Sequence, residues 1–121
     1  MTDPRHHLGR RAESIVAERL GAMGWLILAR RWKVSEGELD LVAIDPLGTL
    51  VGLEVRGRRS PRTGSALESI DRRHLARLRA ALVRYAISEP VAHLALRLDL
   101  VALDRRERGW RMVRHQGIGG W

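Results

Sequence analysis

Two neighbouring segments decide the fold of this chain: GELDLVAI at residues 37–44 and TLVGLEVR at residues 49–56. Both are rich in the branched apolar residues that favour strands. Between them lies Asp45-Pro46-Leu47-Gly48, in which Pro favours a turn and Gly tolerates its left-handed positions. The two segments therefore predict a pair of antiparallel strands joined by a short connection.

Charged side chains interrupt this apolar pair of strands. Because successive side chains of a strand point to opposite faces, Asp40 is expected to share a face with Val42 and Ile44. Glu54 is expected to share a face with Arg56. Pairing the strands brings two carboxylates and one cation together near one edge of the sheet, which is unfavourable among apolar residues unless something compensates them. A divalent metal ion, which prefers oxygen ligands, is the expected compensation.

An aspartate followed by Glu-x-Lys on adjacent strands is the signature of the restriction-endonuclease-like, or PD-(D/E)xK, nuclease fold. The chain resembles this pattern with Arg56 in the lysine position. It also resembles the YraN-like family, which is distantly similar to archaeal Holliday junction resolvases. Six motifs between Leu8 and Leu103 carry the resemblance: GRRAE at 9–13, RRW at 30–32, GELD at 37–40, EVR at 54–56, GS at 64–65 and RLD at 97–99.

The family resemblance implies a role for each residue of the site. It implies that Asp40 and Glu54 hold one Mg²⁺ or Mn²⁺, with the backbone carbonyl of Val55 as a further ligand. It also implies that Glu13, on the first helix, points toward the metal, whereas a Glu–Arg pair at the helix surface is the alternative for Glu13. Arg56 supplies positive charge for the phosphate, which makes Glu13, Asp40, Glu54 and Arg56 the predicted catalytic set.

Apolar periodicity predicts the remaining elements. The predicted order is helix (about 4–23), strand (25–29), the two strands above, helix (71–88), strand (94–103) and a short strand (110–114). This order indicates an α/β sandwich with a mixed sheet and helices on its faces, which is also the restriction-endonuclease-like arrangement that the resemblance implies. We expect one domain over residues 1–121, with flexible tails at 1–7 and 116–121.

Composition indicates a polyanionic partner. The net charge is +8 and the sequence pI is near 11.5, a balance that suits nucleic acid because basic side chains neutralise phosphates. An arginine-rich coding habit is the alternative, since Lys33 is the one lysine. The chain has no cysteine, which excludes disulfides and thiolate metal sites. The sequence contains neither a membrane-spanning run nor a secretory signal, so we expect a cytoplasmic protein without a membrane partner.

Two basic regions are predicted to contact phosphate, on DNA rather than RNA. The first is a flexible connection after Glu54, and the second is the start of the second helix. Their candidate residues are Arg58, Arg59 and Arg62 in the connection, and Arg72, Arg73, His74 and Arg77 on the helix.

Three functions remain open on the sequence. The first is a metal-dependent nuclease acting on structured or branched DNA, in repair or recombination, with a homodimer expected because junction resolvases need two active sites. The second is a nucleic-acid-binding module with weakened catalysis, because a guanidinium group stays protonated and is therefore a poor proton acceptor; Lys33 is a candidate to replace Arg56 in that role. The third is a structural protein whose carboxylates pair with arginines.

Overall fold

A computed structural model describes residues 4–59 and 66–120, with the backbone alone for residues 4–7. Its elements are α1 (Pro4–Ala22), β1 (Leu26–Val34), β2 (Gly37–Ile44), β3 (Leu50–Arg58), a 3₁₀ helix (Ala66–Ser69), α2 (Arg72–Ser88), β4 (Leu96–Arg105) and β5 (Trp110–His115). The predicted order of helices and strands is confirmed, and the structure adds the 3₁₀ helix. None of the helices in the described part of the chain is long and apolar enough to span a membrane.

The five strands form one mixed sheet in the order β1-β2-β3-β4-β5. Strands β1, β2 and β3 are a meander, because each neighbouring pair is antiparallel. Strand β4 runs parallel to β3 and β5 returns antiparallel to β4. Helix α2 lies on the connection between the two parallel strands, as such a crossover requires.

The helices cover opposite faces of the sheet, so the core has two layers. Helix α1 packs through Val16 and Leu20 on one face, and α2 packs through Leu78 and Leu82 on the other. The sheet residues beneath α1 include Leu41, Leu53, Val55 and Val101, and those beneath α2 include Leu39, Val42, Leu50 and Leu98. The predicted α/β class, with helices on both faces of a mixed sheet, is therefore confirmed.

The regular alternation of side chains breaks in the middle of β2. Leu39 and Val42, three positions apart, both pack beneath α2, whereas Leu41 packs beneath α1. The pairing of β2 with β3 also ends at Leu41 and Leu53. Asp40 lies at this break, so the simple alternation from which a face shared by Asp40 and Val42 was expected does not hold through the middle of β2.

Asp99 on β4 is fully buried and accepts hydrogen bonds from three directions. Its donors are the guanidinium groups of Arg97 and Arg114 and the backbone N–H of Gly117, at 2.8–3.0 Å. Arg97 also binds the buried carboxylate of Asp45. Every charge of this cluster is compensated by protein groups, so removing one partner would leave a buried charge unpaired.

The C-terminal segment packs against this cluster and is not the flexible tail expected from residue 116. Ile118 is 8% exposed, lies in the core beneath α2 and donates its N–H to the carbonyl of Leu98 at 2.9 Å. The buried Asp99 needs donors, and Gly117 supplies one. At the other end α1 begins at Pro4. Residues 1–3 and 121 lie outside the described part of the chain.

Candidate functional site

A cavity of about 400 Å³ lies between β2 and the first turns of α2. Its walls bring together residues, most of them charged, from two strands and from one helix with its cap. From the strands they include Gly37, Glu38, Asp40 and Glu54, and from the helix and its cap they include Asp71, Arg73, His74 and Arg77. Helix α2 approaches the sheet closely at one wall of the cavity: a Cβ atom on Gly37 would lie 2.9 Å from the carbonyl oxygen of Arg77.

Asp40 and Glu54 form the centre of the site. Glu54 is 6% exposed and lies within hydrogen-bonding reach of the Asp40 carboxyl. One oxygen of Asp40, Oδ2, accepts the backbone N–H of Val55 at 2.8 Å. Burial, and then the neighbouring Asp40, raise the pKa of Glu54 to about 9. The two carboxyl groups therefore retain a proton at neutral pH.

The remaining contacts of Glu54 come from β3 and from α2. Nε2 of His74 lies 3.1 Å from Oε2 of Glu54, and Nη1 of Arg56 lies 3.5 Å from Oε1. Burial, and then the positive charge of Arg56, lower the pKa of His74, which favours the neutral imidazole. The Nε atom of Arg56 is buried and has no hydrogen-bond partner. An unpaired buried donor of this kind is uncommon and is found at functional sites.

Glu13 lies on the α1 side of Asp40. Burial, and then the charge of Asp40, raise the pKa of Glu13, while Arg31 acts in the opposite direction. Glu13 is thus electrostatically coupled to Asp40, although it does not line the cavity. Asp40 lies between two acidic neighbours, Glu54 toward α2 and Glu13 toward α1.

The chemistry of these donors fits a hard divalent cation with an open coordination sphere. Within residues 4–59 and 66–120 no three Asp, Glu or His side chains converge closely enough to hold a metal ion by themselves. Mg²⁺, however, commonly binds through one or two carboxylates and completes its shell with water and phosphate oxygens. Asp40 and Glu54 supply such a pair, and a cation there would replace the proton that they retain.

The arginines predicted to contact phosphate fall into distinct groups. Arg73 and Arg77 line the cavity, and Arg59 is exposed at the end of β3. Arg72 lies on the other side of α2, along an apolar groove. Arg58 belongs to β3 and donates two hydrogen bonds of 2.7 and 3.2 Å to the buried carboxylate of Asp104, so its contact with phosphate stays a prediction. Arg62 lies outside the described residues.

His74 was predicted as a phosphate contact at the helix surface, which stays a prediction, but its position beside Glu54 was not foreseen from the sequence. The signal that could have found it is the helix cap. Asp71 accepts the backbone N–H of His74 at 2.8 Å and so fixes the start of α2. His74 then precedes the buried Leu78 by four residues and faces the sheet with it. Lys33, the other candidate cation, is exposed on β1 opposite Glu38 and does not line the cavity.

Comparison with known proteins identifies a family and a distant structural likeness. A model of the uncharacterised protein family UPF0102 matches residues 12–103. The UPF0102 protein of Frankia casuarinae is 40% identical over 108 residues, which cover 89% of this chain and 91% of that protein. The UPF0102 protein of Deinococcus radiodurans is 43% identical over 83 residues, which cover 69% of this chain and 68% of that protein.

Among solved structures, that of Pyrococcus furiosus SfsA in complex with Ca²⁺ is similar to this chain at a TM-score of 0.34 and 12% identity. The match covers 93% of this chain but only 63% of the SfsA chain. The sequence matches confirm the YraN-like resemblance. The chain belongs to the uncharacterised protein family UPF0102.

Proposed function

We propose that this protein is a metal-dependent nuclease that hydrolyses phosphodiester bonds in structured or branched DNA. The observation that supports it most is the pair of carboxyl groups from Asp40 and Glu54. The pair is buried enough to raise the pKa of Glu54 to about 9, yet it borders an open cavity. Titratable groups perturbed in this way cluster at functional sites.

Asp40 and Glu54 would hold Mg²⁺ or Mn²⁺, with the carbonyl of Val55 as a further ligand by the restriction-endonuclease-like resemblance. Such an ion would polarise the phosphate and make a water molecule more acidic. The chain itself fixes the orientation of Asp40 through the N–H of Val55. Arg56 places a positive charge beside Glu54, where charge on a phosphate is stabilised. Glu13 adds negative charge beside Asp40.

Nucleic acid is the proposed partner because the cavity is edged by arginines. Arg73 and Arg77 line the cavity beside the carboxylates, so a phosphodiester entering it would meet both signs of charge. The net charge of +8 favours any polyanion over the whole surface. DNA rather than RNA, a homodimer that presents two sites to a junction, and a cytoplasmic location belong to the same proposal.

One observation favours a second function, a nucleic-acid-binding module with weakened catalysis. Arg56 stands where the restriction-endonuclease-like pattern has lysine. A guanidinium group does not accept a proton from water. Arg56 would therefore not accept the proton of an attacking water molecule in this chain.

The test is a cleavage assay on single-stranded, duplex and four-way-junction DNA, with Mn²⁺, Mg²⁺ or EDTA. We expect cleavage with Mn²⁺ that is absent in EDTA and absent in Asp40→Asn and Glu54→Gln. DNA binding in EDTA should be nearly equal in all three proteins. Cleavage of equal rate in the wild type and both variants would show a contaminating enzyme. Binding without any cleavage would support the second function.

A further inference from the structure

The first turn of α2 reaches into the carboxylate site through His74. The side chain is 34% exposed, and its Nε2 atom lies 3.1 Å from Oε2 of Glu54. The backbone beneath it is fixed, because Asp71 caps the helix by accepting the N–H of the same residue at 2.8 Å. His74 is therefore held at one end by the cap and at the other by Glu54.

The two oxygens of Glu54 are held unequally. Oε2 has the imidazole of His74 at 3.1 Å, whereas Oε1 has the guanidinium of Arg56 at 3.5 Å, beyond the usual length of a hydrogen bond. The Glu54 side chain is only 7% exposed, so bulk water is a poor substitute for either neighbour. Of the neighbours of Glu54 other than Asp40, His74 therefore makes the shorter contact and contributes most to the orientation of the carboxyl group.

We propose that His74 is a positioning residue of the carboxylate site, which holds Glu54 in the orientation that lets it share a divalent cation with Asp40. This inference rests on the proposed function, because it concerns the same pair of carboxylates. Removing a group that orients a metal ligand without binding the metal typically weakens metal binding by about 10- to 100-fold. With Nε2 directed at Glu54, His74 contacts the carboxylate, in contrast to Arg73 and Arg77, which are proposed to contact phosphate.

The experiment measures Mn²⁺ binding to the full chain by isothermal titration calorimetry in the absence of DNA. The matched pair is His74→Gln, whose amide can reach Glu54, and His74→Leu, which has a similar size and no polar atom. We expect His74→Leu to bind Mn²⁺ about 10-fold more weakly than the wild type, and His74→Gln to remain close to it. Arg79→Ala, on the outer side of the same helix, is the control and should bind Mn²⁺ as the wild type does.

Thermal unfolding of each variant separates positioning from folding, since a lost positioning contact lowers the Mn²⁺ affinity of a protein that remains folded. Equal Mn²⁺ affinities for the Gln and Leu variants would overturn the inference. So would a His74→Leu variant whose DNA affinity in EDTA falls while its Mn²⁺ affinity is unchanged, because His74 would then be a phosphate contact. If Asp40→Asn abolishes Mn²⁺ binding and His74→Leu does not weaken it, only this inference fails. If the wild type and Asp40→Asn show the same absence of binding, the proposed function fails as well.

Discussion

The backbone N–H of Val55 donates to Oδ2 of Asp40 over 2.8 Å, just beyond the point where β2 and β3 stop pairing. A side chain thus takes the place of the backbone acceptor that a continuous ladder would provide. The same carboxylate that we propose to hold the cation also satisfies a buried part of β3. Its two contributions, to stability and to cation binding, can be separated by substitution.

Asp40→Ala should destabilise the protein by roughly 1–3 kcal/mol, because the N–H of Val55 loses its acceptor. Asp40→Asn retains an oxygen at that position and should remain close to the wild type in stability. Both variants should lose Mn²⁺ binding. Urea unfolding together with calorimetric Mn²⁺ titration tests this, and equal stability of the two variants would show that the hydrogen bond contributes nothing.

Glu54→Gln should stabilise the protein increasingly as the pH rises. The pKa of Glu54 is about 9 in the folded chain, against an ordinary value of 4.5 for glutamate. The stabilisation linked to its proton is therefore complete below pH 4.5 and is lost as the pH rises through 9. Glutamine does not titrate in this range, so the free energy of unfolding of the variant should rise relative to that of the wild type between those limits. Urea unfolding at pH 5, 7 and 9 measures the gain. The exposed Glu107→Gln is the control, and a gain independent of pH would contradict the raised pKa.

Arginines of the cavity and of β3 should differ in their effect on DNA binding. Affinity for DNA falls with salt, and replacing Arg73 and Arg77 by alanine should make this fall less steep. The slope of log affinity against log salt should decrease in magnitude by roughly 1 for each phosphate contact removed. Arg58→Ala should leave that slope unchanged, because its guanidinium is bound to Asp104. It should instead lower stability by roughly 1–3 kcal/mol, since Asp104 is buried and loses two hydrogen bonds. Fluorescence anisotropy in EDTA at several salt concentrations, with urea unfolding, measures both; an altered slope for Arg58→Ala would place it at the DNA.

Arg31 has a φ of 47°, in the left-handed region that residues other than glycine, asparagine and aspartate rarely adopt. Arg31→Asn should therefore stabilise the protein, by about 0.5–1 kcal/mol. The neighbouring Arg30 is also exposed on β1 but has no such φ, so Arg30→Asn should give no gain. Thermal unfolding of both variants is sufficient, and equal shifts would refute strain at Arg31.

Arg56→Lys should maintain or raise Mn²⁺-dependent cleavage. Lysine keeps the positive charge but lacks the Nε group that is buried without a partner in the wild type. It can also release its proton more readily when buried. Arg56→Ala removes the charge and should lose cleavage. Rates measured at saturating Mn²⁺ test both, and a lysine variant as slow as the alanine variant would indicate that the guanidinium itself contacts the phosphate.

Local sequence patterns were sufficient for the order of elements and for the meeting of Asp40 with Glu54. The two residues lie on consecutive antiparallel strands, so a turn of known length brings them together. They were not sufficient at Asp40 itself, because the break in alternation between Leu39 and Val42 follows from packing against two helices and has no signature in the period of the strand.

Contacts between distant segments were beyond such patterns. Arg58 is paired with Asp104, 46 residues later, because the parallel register of β3 and β4 places these two residues side by side. The run of arginines around position 58 does not indicate that partner. Ile118 is buried for a similar reason, because the hydrogen bond from Gly117 to Asp99 holds the C-terminal segment against the sheet.

The close approach of α2 to the sheet has a mechanical consequence. The helix rests against β2 at Gly37, and the atom that any larger residue would meet is the backbone oxygen of Arg77, which cannot rotate away. A single methyl group at position 37 would push α2 away from β2. His74 and Arg77 would move outward with the helix, while Asp40 and Glu54 would stay with the sheet. The distance between α2 and the sheet is therefore set by a residue without a side chain, and any increase in it would take His74 out of contact with Glu54.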